Sequence, residues 1–282
     1  MLKQRLFNLG LAIAFVTTLA IAPSSSLAAE LAEIQRRGKL IVGIKTHLRP
    51  LSFQDADGNW QGLEIDIARG LAEKILGDPN AIIFKPVANS ERLNGVYQDV
   101  DLTIARVTVT DSRSRLVDFS PYYYLDGTGF VTKDSAINNL SDLATQTIAV
   151  LEYSSTVPVL KYYLPHATLV GVKSYQEALA LLEAGEANAF AGDNSVLTGW
   201  VQEYPDYQQL PLRLSGAPLA VVMPKGLQYL ELRQQVNAAI ADWRKSGWLE
   251  ERATGWGLPW YEGFISDQQK PHVKSNLYLK AI

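Results

Sequence analysis

Twice along this chain a strand, a helix, a strand, a helix and a strand follow one another. That recurrence limits the fold more than any single motif does. In the first half, Leu40–Ile44 is apolar throughout and reads as a central strand. Residues 64–76 then repeat Ile65, Ala68, Leu71, Ala72 and Ile75 at helical spacing, with Glu64 and Asp66 near the positive end of the helix dipole. A strand over 82–87, a short helix over 90–98 with Ser90 as its cap, and a strand over 102–105 complete the run. In the second half, Thr147–Leu151 reads as a strand and Ser154-Ser155-Thr156 opens a helix that runs to Tyr163. A strand over 167–172, a helix over 174–184 stopped by Gly185, and a strand over 187–191 that ends in Gly192-Asp193 follow. The repeated order predicts an α/β fold of two related lobes. Right-handed crossovers then turn the strand ends of both lobes towards a shared cleft. A chain of 282 residues suits two such lobes.

The chain is expected to change lobe near residues 130–135 and to return through 219–226 into a helix over 228–245, which makes a two-strand hinge. Residues 29–131 with 220–262 form the first lobe in this reading, and 132–219 the second. Residues 263–282 are a polar, loosely packed tail. Residues 1–28 read as a secretory signal peptide: Lys3 and Arg5, an apolar run over 9–22, then Ser26-Leu27-Ala28 before cleavage. The rival reading is an uncleaved anchor, against which stand the short apolar run, Pro23 and three serines. No later segment is apolar over a bilayer-spanning length, so the expected product is soluble and exported to the periplasm. A net charge of −3 and the lack of any basic patch interleaved with aromatics argue against nucleic acid as a partner. The absence of cysteine excludes disulfides, thiolate metal sites, a cysteine nucleophile and a lipoprotein anchor.

Residues 101–120 carry the strongest chemical signal. The strand that begins at Leu102 gives way to Thr108, Thr110 and Arg113, where a strand leaves the sheet. Open α/β sheets bind small ligands beyond the carboxyl ends of their strands. Arg supplies a planar fork for a carboxylate, and Thr a hydroxyl that either donates or accepts.

The order and spacing of several segments resemble the periplasmic polar amino-acid-binding proteins of ABC importers, a solute-binding family with the type II periplasmic-binding-protein fold. The resemblance spans about residues 31–257. It is carried by Gly38-Lys-Leu-Ile-Val-Gly43, Asp57-Gly58, Gly62-Leu-Glu-Ile-Asp66, Asp101-Leu102, Thr108-Val-Thr-Asp-Ser-Arg113 and Val117-Asp-Phe-Ser-Pro-Tyr-Tyr123. Ser154-Ser-Thr156, Gly192-Asp193 and Met223-Pro-Lys-Gly226 carry it through the second half. The resemblance implies that Arg113 takes the ligand's α-carboxylate, helped by the backbone at Ser155 and Thr156 beside Ser154 at a helix N-terminus. It implies that Asp193 takes the α-ammonium, helped by Thr108 and the carbonyl of residue 106. A zwitterion leaving water needs both charges paired, and closure of the two lobes would supply both partners. A membrane permease would receive the closed form from a monomer, and no cofactor is implied.

Three positions depart from the family pattern. Arg106 stands where a small residue is usual, Tyr153 where Gly is usual, and Leu48, between His47 and Arg49, near where an aromatic ring covers the ligand. Arg106, with Arg49 or Arg92, is expected to favour an acidic or amide side chain; the alternative is a salt bridge pointing elsewhere. Asp193 also reads as a turn cap, Ser154 to Thr156 as a helix cap, Trp60 as packing, and Asp118 and Pro121 as turn architecture. Some proteins of this fold are dehydratases or lytic transglycosylases, so a periplasmic enzyme is one rival reading. His47, His166 and His272 lack ligand-spaced neighbours, and Glu152, ahead of the Ser-Ser-Thr turn, is the one carboxylate to consider as a general acid, although a solvated strand end is its favoured reading. A sensory module that signals through a separate receptor is the other rival.

Overall fold

The computed structural model describes residues 29–260. The signal-peptide reading and the polar tail lie outside these residues. The first lobe opens with helix α1 (Leu31–Arg37) and strand β1 (Leu40–Ile44). A three-stranded antiparallel flap follows: β2 (His47–Leu48), β3 (Ser52–Gln54) and β4 (Trp60–Gln61). Next come α2 (Leu63–Leu76), β5 (Ile82–Pro86), β6 (Leu102–Thr103), the single turn α3 (Asp111–Ser114) and β7 (Asp118–Phe119). Leu40, Val42 and Ile44 are fully buried, as expected for a strand paired in parallel on both sides, with β5 and β6. The apolar stripe of α2 packs against them. The helix expected over 90–98 is instead a series of turns around one 3-10 turn at Gly95–Tyr97. Its buried residues are Gly95 and Val96, too narrow a stripe to hold a helix against the sheet.

Strand β8 (Tyr124–Asp126) leads to the second lobe, made of β9 (Thr128–Thr132), β10 (Thr147–Leu151), α4 (Thr156–Tyr163), β11 (Thr168–Val172), α5 (Tyr175–Glu183), β12 (Ala189–Asp193), α6 (Asn194–Glu203) and β13 (Gln208–Gln209). The chain returns along β14 (Ala217–Leu219) to β15 (Val222–Met223), α7 (Leu230–Ser246) and α8 (Trp248–Gly255). The two sheets run β5-β1-β6-β15-β7 and β11-β10-β12-β9-β13. They share one plan: three parallel strands extended by an antiparallel one. In each sheet the antiparallel strand, β15 or β9, is the one that has just arrived from the other lobe. Because β9 belongs to the second sheet, the outward crossing runs through 124–127, a few residues before the boundary read from sequence. Trp60 packs beside Phe84, with ring centroids 5.9 Å apart, in the core of the first lobe.

Strands β8 and β14 pair antiparallel and form the hinge. A Cβ at Gly127 would lie 2.0 Å from the Ser215 carbonyl oxygen, so the crossing chains approach this closely only because that residue is glycine. Asp126 is buried in the hinge, where its carboxylate accepts from the N–H of Gly127 (2.9 Å), the N–H of Ser195 (3.1 Å) and the Ser195 hydroxyl (2.5 Å). Burial and the negative charge of Asp193 push Asp126 up to about 6, against the opposing pull of Arg106.

The lobes also touch away from the hinge. The Gln202 side chain donates to the Trp256 carbonyl at 2.8 Å, and the Arg49 carbonyl rests on α6 at Gly199. A Cβ at Gly199 would lie 2.4 Å from that oxygen. The clash in Gly199→Ala is therefore between lobes, and opening relieves it without unfolding either one. The expected result is a larger radius of gyration by small-angle scattering with an unchanged or slightly raised melting temperature, since Ala favours a helix over Gly by about 1 kcal/mol. A lowered melting temperature at constant radius would mean that the lobes cannot part.

Asp126 generates a second expectation. A carboxyl whose folded pKa is raised above its unfolded value contributes stability below the unfolded pKa, and that contribution is lost as pH rises through the folded pKa. Wild type should therefore lose stability relative to Asp126→Asn between about pH 4 and about pH 6, with a constant difference above that. Urea unfolding of both proteins across this range measures it. Parallel curves would show that Asp126 titrates normally.

Candidate functional site

The wall contributed by the first lobe is built on a buried carboxylate. Glu64, in the first turn of α2, is fully buried, and its Oε1 accepts from the Arg106 backbone N–H and from the Tyr123 hydroxyl, both at 2.6 Å. Its Oε2 has no hydrogen-bond partner among the described residues. Burial raises the Glu64 pKa, opposed by those two hydrogen bonds and by nearby arginines. The bond to Glu64 helps hold the loop after β6 in its unusual shape, with Arg106 at φ 48°, a left-handed conformation that small residues adopt more readily. The Arg92 guanidinium donates to the carbonyls of Ala105 (3.0 Å) and Arg106 (2.7 Å) from the same side. Burial, then the charges of Arg113 and Arg106, lower the Arg92 pKa. Arg113 lies on the short α3 turn, capped by the Thr110 hydroxyl, and its guanidinium donates to the Thr108 carbonyl at 2.8 Å. Thr108 bridges to Leu219 of the hinge.

The wall from the second lobe holds Asp193, where β12 passes into α6. Its carboxylate does not cap the helix and instead meets the Arg106 guanidinium across the cleft, at 2.5 Å. Burial works against the Arg106 charge, but Asp193 and Asp126 outweigh it and raise the pKa. Tyr175, at the start of α5, bonds the same guanidinium, and burial is the main cause of its raised pKa. Ser155 is the N-cap residue of α4, without a side-chain cap bond, and Thr156 is buried beneath it. The Ser154 hydroxyl is buried without a hydrogen-bond partner among the described residues. Tyr153 precedes them at φ 58° with 99% of its surface exposed to solvent.

Arg106, Arg113 and Thr108 thus share one wall, and Arg106 reaches Asp193 on the other. His47, Leu48 and Arg49 line a cavity of about 580 Å³ between the flap and helices α5 and α6. Tyr175 also lines that cavity, which places it beside the ion pair. The Arg49 guanidinium stacks 3.8 Å over the Phe53 ring, and the His47 ring bonds the Thr46 hydroxyl at 2.7 Å. Glu152 is exposed at the turn after β10. Among the described residues no group of three or more His, Asp or Glu side chains is arranged to hold a metal ion. Sequence reasoning passed over Tyr175 and Asp126, and took Glu64 only as a helix-dipole partner. A carboxylate at a position of the α2 stripe that packs inward was the available signal for Glu64.

Residues 40–259 match the bacterial extracellular solute-binding proteins, family 3. The glutamine-binding protein of Geobacillus stearothermophilus is 35% identical over 198 residues, which cover 68% of this chain and 74% of that protein. A solved structure of the L-cysteine solute receptor of Neisseria gonorrhoeae superimposes with a TM-score of 0.59 at 28% identity, over 86% of this chain and 98% of the receptor. The ancestral amino-acid-binding protein described as a precursor of cyclohexadienyl dehydratase superimposes with a TM-score of 0.59 at 26% identity, over 80% and 98%. With its two lobes, paired hinge strands and polar cleft, the chain belongs to the bacterial extracellular solute-binding proteins, family 3.

Proposed function

We propose that this protein captures a polar amino acid outside the cytoplasm by closing its lobes, and delivers it to the membrane permease of an ABC importer. The observation that supports it best is the pairing of Arg106 with Asp193 across the cleft, with Arg113 on the same wall as Arg106. Opposite charges from opposite lobes suit a ligand that carries both signs. In this reading Arg113 takes the α-carboxylate with the α4 N-terminus at Ser155 and Thr156, and Asp193 takes the α-ammonium with Thr108. Arg106 must then leave Asp193. An acidic or amide side chain offers its guanidinium a new acceptor, which is why such ligands are favoured, while His47, Leu48 and Arg49 border the space beyond. Among the described residues no helix is long and apolar enough to cross a membrane, and a freely diffusing monomer is the form such delivery needs.

A thermal-shift screen against the amino acids tests the reading. A ligand at one hundred times its dissociation constant adds about 2.7 kcal/mol, enough to move the melting temperature by several degrees. Arg113→Ala should weaken that ligand by about a hundredfold, because it strands a desolvated carboxylate. Retained affinity in Arg113→Ala would remove Arg113 from the site, and turnover of a cyclic acid that is lost in Glu152→Gln would favour the enzymatic reading.

A further inference from the structure

The place that the proposed function gives to the ligand's ammonium is filled by a side chain of the protein. Asp193 already has a cation, the Arg106 guanidinium, which comes from the facing lobe and is steadied by Tyr175. Around that pair Arg92, Arg113 and Lys45 have the carboxyl groups of Glu64, Asp126 and Glu91 as neighbours, and burial favours the neutral form of Glu64 and Asp126, so positive charge is in excess. Arg92 and Arg113 donate to backbone carbonyls, and among the described residues neither is in ion-pair contact with a carboxylate. Lys45 adds a further cation near Arg92 and Arg106, and its amine donates to the Val87 carbonyl (3.2 Å) and to Asn89 (3.1 Å). Glu64 lies among them, with Oε1 taken by its two donors and Oε2 buried without a hydrogen-bond partner among the described residues.

We propose that Arg106 is a built-in stand-in for an α-ammonium, so that the cleft takes small dicarboxylates and 2-oxo acids that lack an amino group. The inference rests on the solute-binding reading of the cleft and replaces the amino acid of that reading with an acid that has no ammonium. A zwitterion reaches Asp193 only by breaking the pair between Arg106 and Asp193, and it then leaves one guanidinium more in search of an anion. A carboxylate ligand without an ammonium breaks nothing. Its carboxylates meet the unmatched guanidiniums of the first lobe, and Arg106 keeps further N–H donors for the ligand while holding the lobes together. Placing Arg at a left-handed φ of 48° is unfavourable for any residue with a Cβ, and a glycine there would leave Asp193 free.

Titration calorimetry of the purified protein with glutarate, 2-oxoglutarate, glutamate and glutamine tests this. Wild type should bind one of the two amine-free acids about tenfold or more tighter than either amino acid. Arg106→Gly, which relieves the backbone strain and so should fold, and Arg106→Ser should reverse that order by releasing Asp193. Glutamate or glutamine bound as tightly as, or tighter than, both amine-free acids by wild type overturns this inference alone and leaves the solute-binding reading standing. No binding of any of the four by wild type or by either variant overturns this inference, and the solute-binding reading then falls only if the screen against all the amino acids also shows no ligand.

Discussion

The buried carboxylate of Glu64 is the fixed point of the cleft. It sits at the start of α2, in the core of the first lobe, and one oxygen holds both the Arg106 backbone and the Tyr123 hydroxyl. Tyr123 immediately precedes the hinge strand β8, and Arg106 begins the loop that presents Thr108 and Arg113. One side chain therefore sets the helix, the loop after β6 and the approach to the hinge relative to one another. A buried polar group is costly unless its hydrogen bonds are made, so this arrangement favours a single geometry over any slipped alternative. The orientation of the Arg106 guanidinium follows, because the left-handed backbone at that residue directs its side chain over the cleft.

The hinge makes the two lobes dependent on each other. Each sheet is completed by an antiparallel strand that enters directly from the hinge, and the first lobe is assembled from two separate pieces of chain around a contiguous second lobe. Closure can then proceed by rotation about β8 and β14 without breaking either sheet. The buried Asp126 ties that pivot to the N-terminus of α6 through Ser195, and α6 begins directly after Asp193. A charge change at Asp193 is felt at Asp126 through the same few ångströms of low-dielectric interior.

The parallel halves of both sheets were legible in the sequence because their signal is local. The apolar runs at 40–44 and 147–151 are buried on both faces and the helical stripe of 64–76 on one, and the run of apolar residues or its periodicity records that burial. The flap strands of two or three residues, the hinge strands and the helix Asn194–Glu203 left no such trace. The flap strands are too short for a pattern to repeat, and Asn194, Ser195 and Thr198 are polar residues buried on α6 because they bond to one another's backbone and to Asp126. Arg113, Thr108, Ser155 and Asp193 were marked by motif, whereas Tyr175 reaches Arg106 only through the meeting of the lobes.

Arg106 and Tyr153 show how far a departure from a pattern can be read physically. Both replace small residues of the resembled family, and both have positive φ, which explains why small residues suit those turns. Their fates differ. Tyr153 turns its ring entirely into solvent, so the substitution changes a surface and leaves the helix N-terminus behind it intact. Arg106 sends its guanidinium through the cleft to the one carboxylate that faces it from the other lobe. The two backbone positions bear the same conformational burden, yet only at Arg106 is there an interaction that offsets it. A side chain held against its own backbone preference by an ion pair across the cleft would, in the proposed function, change what that cleft can accept.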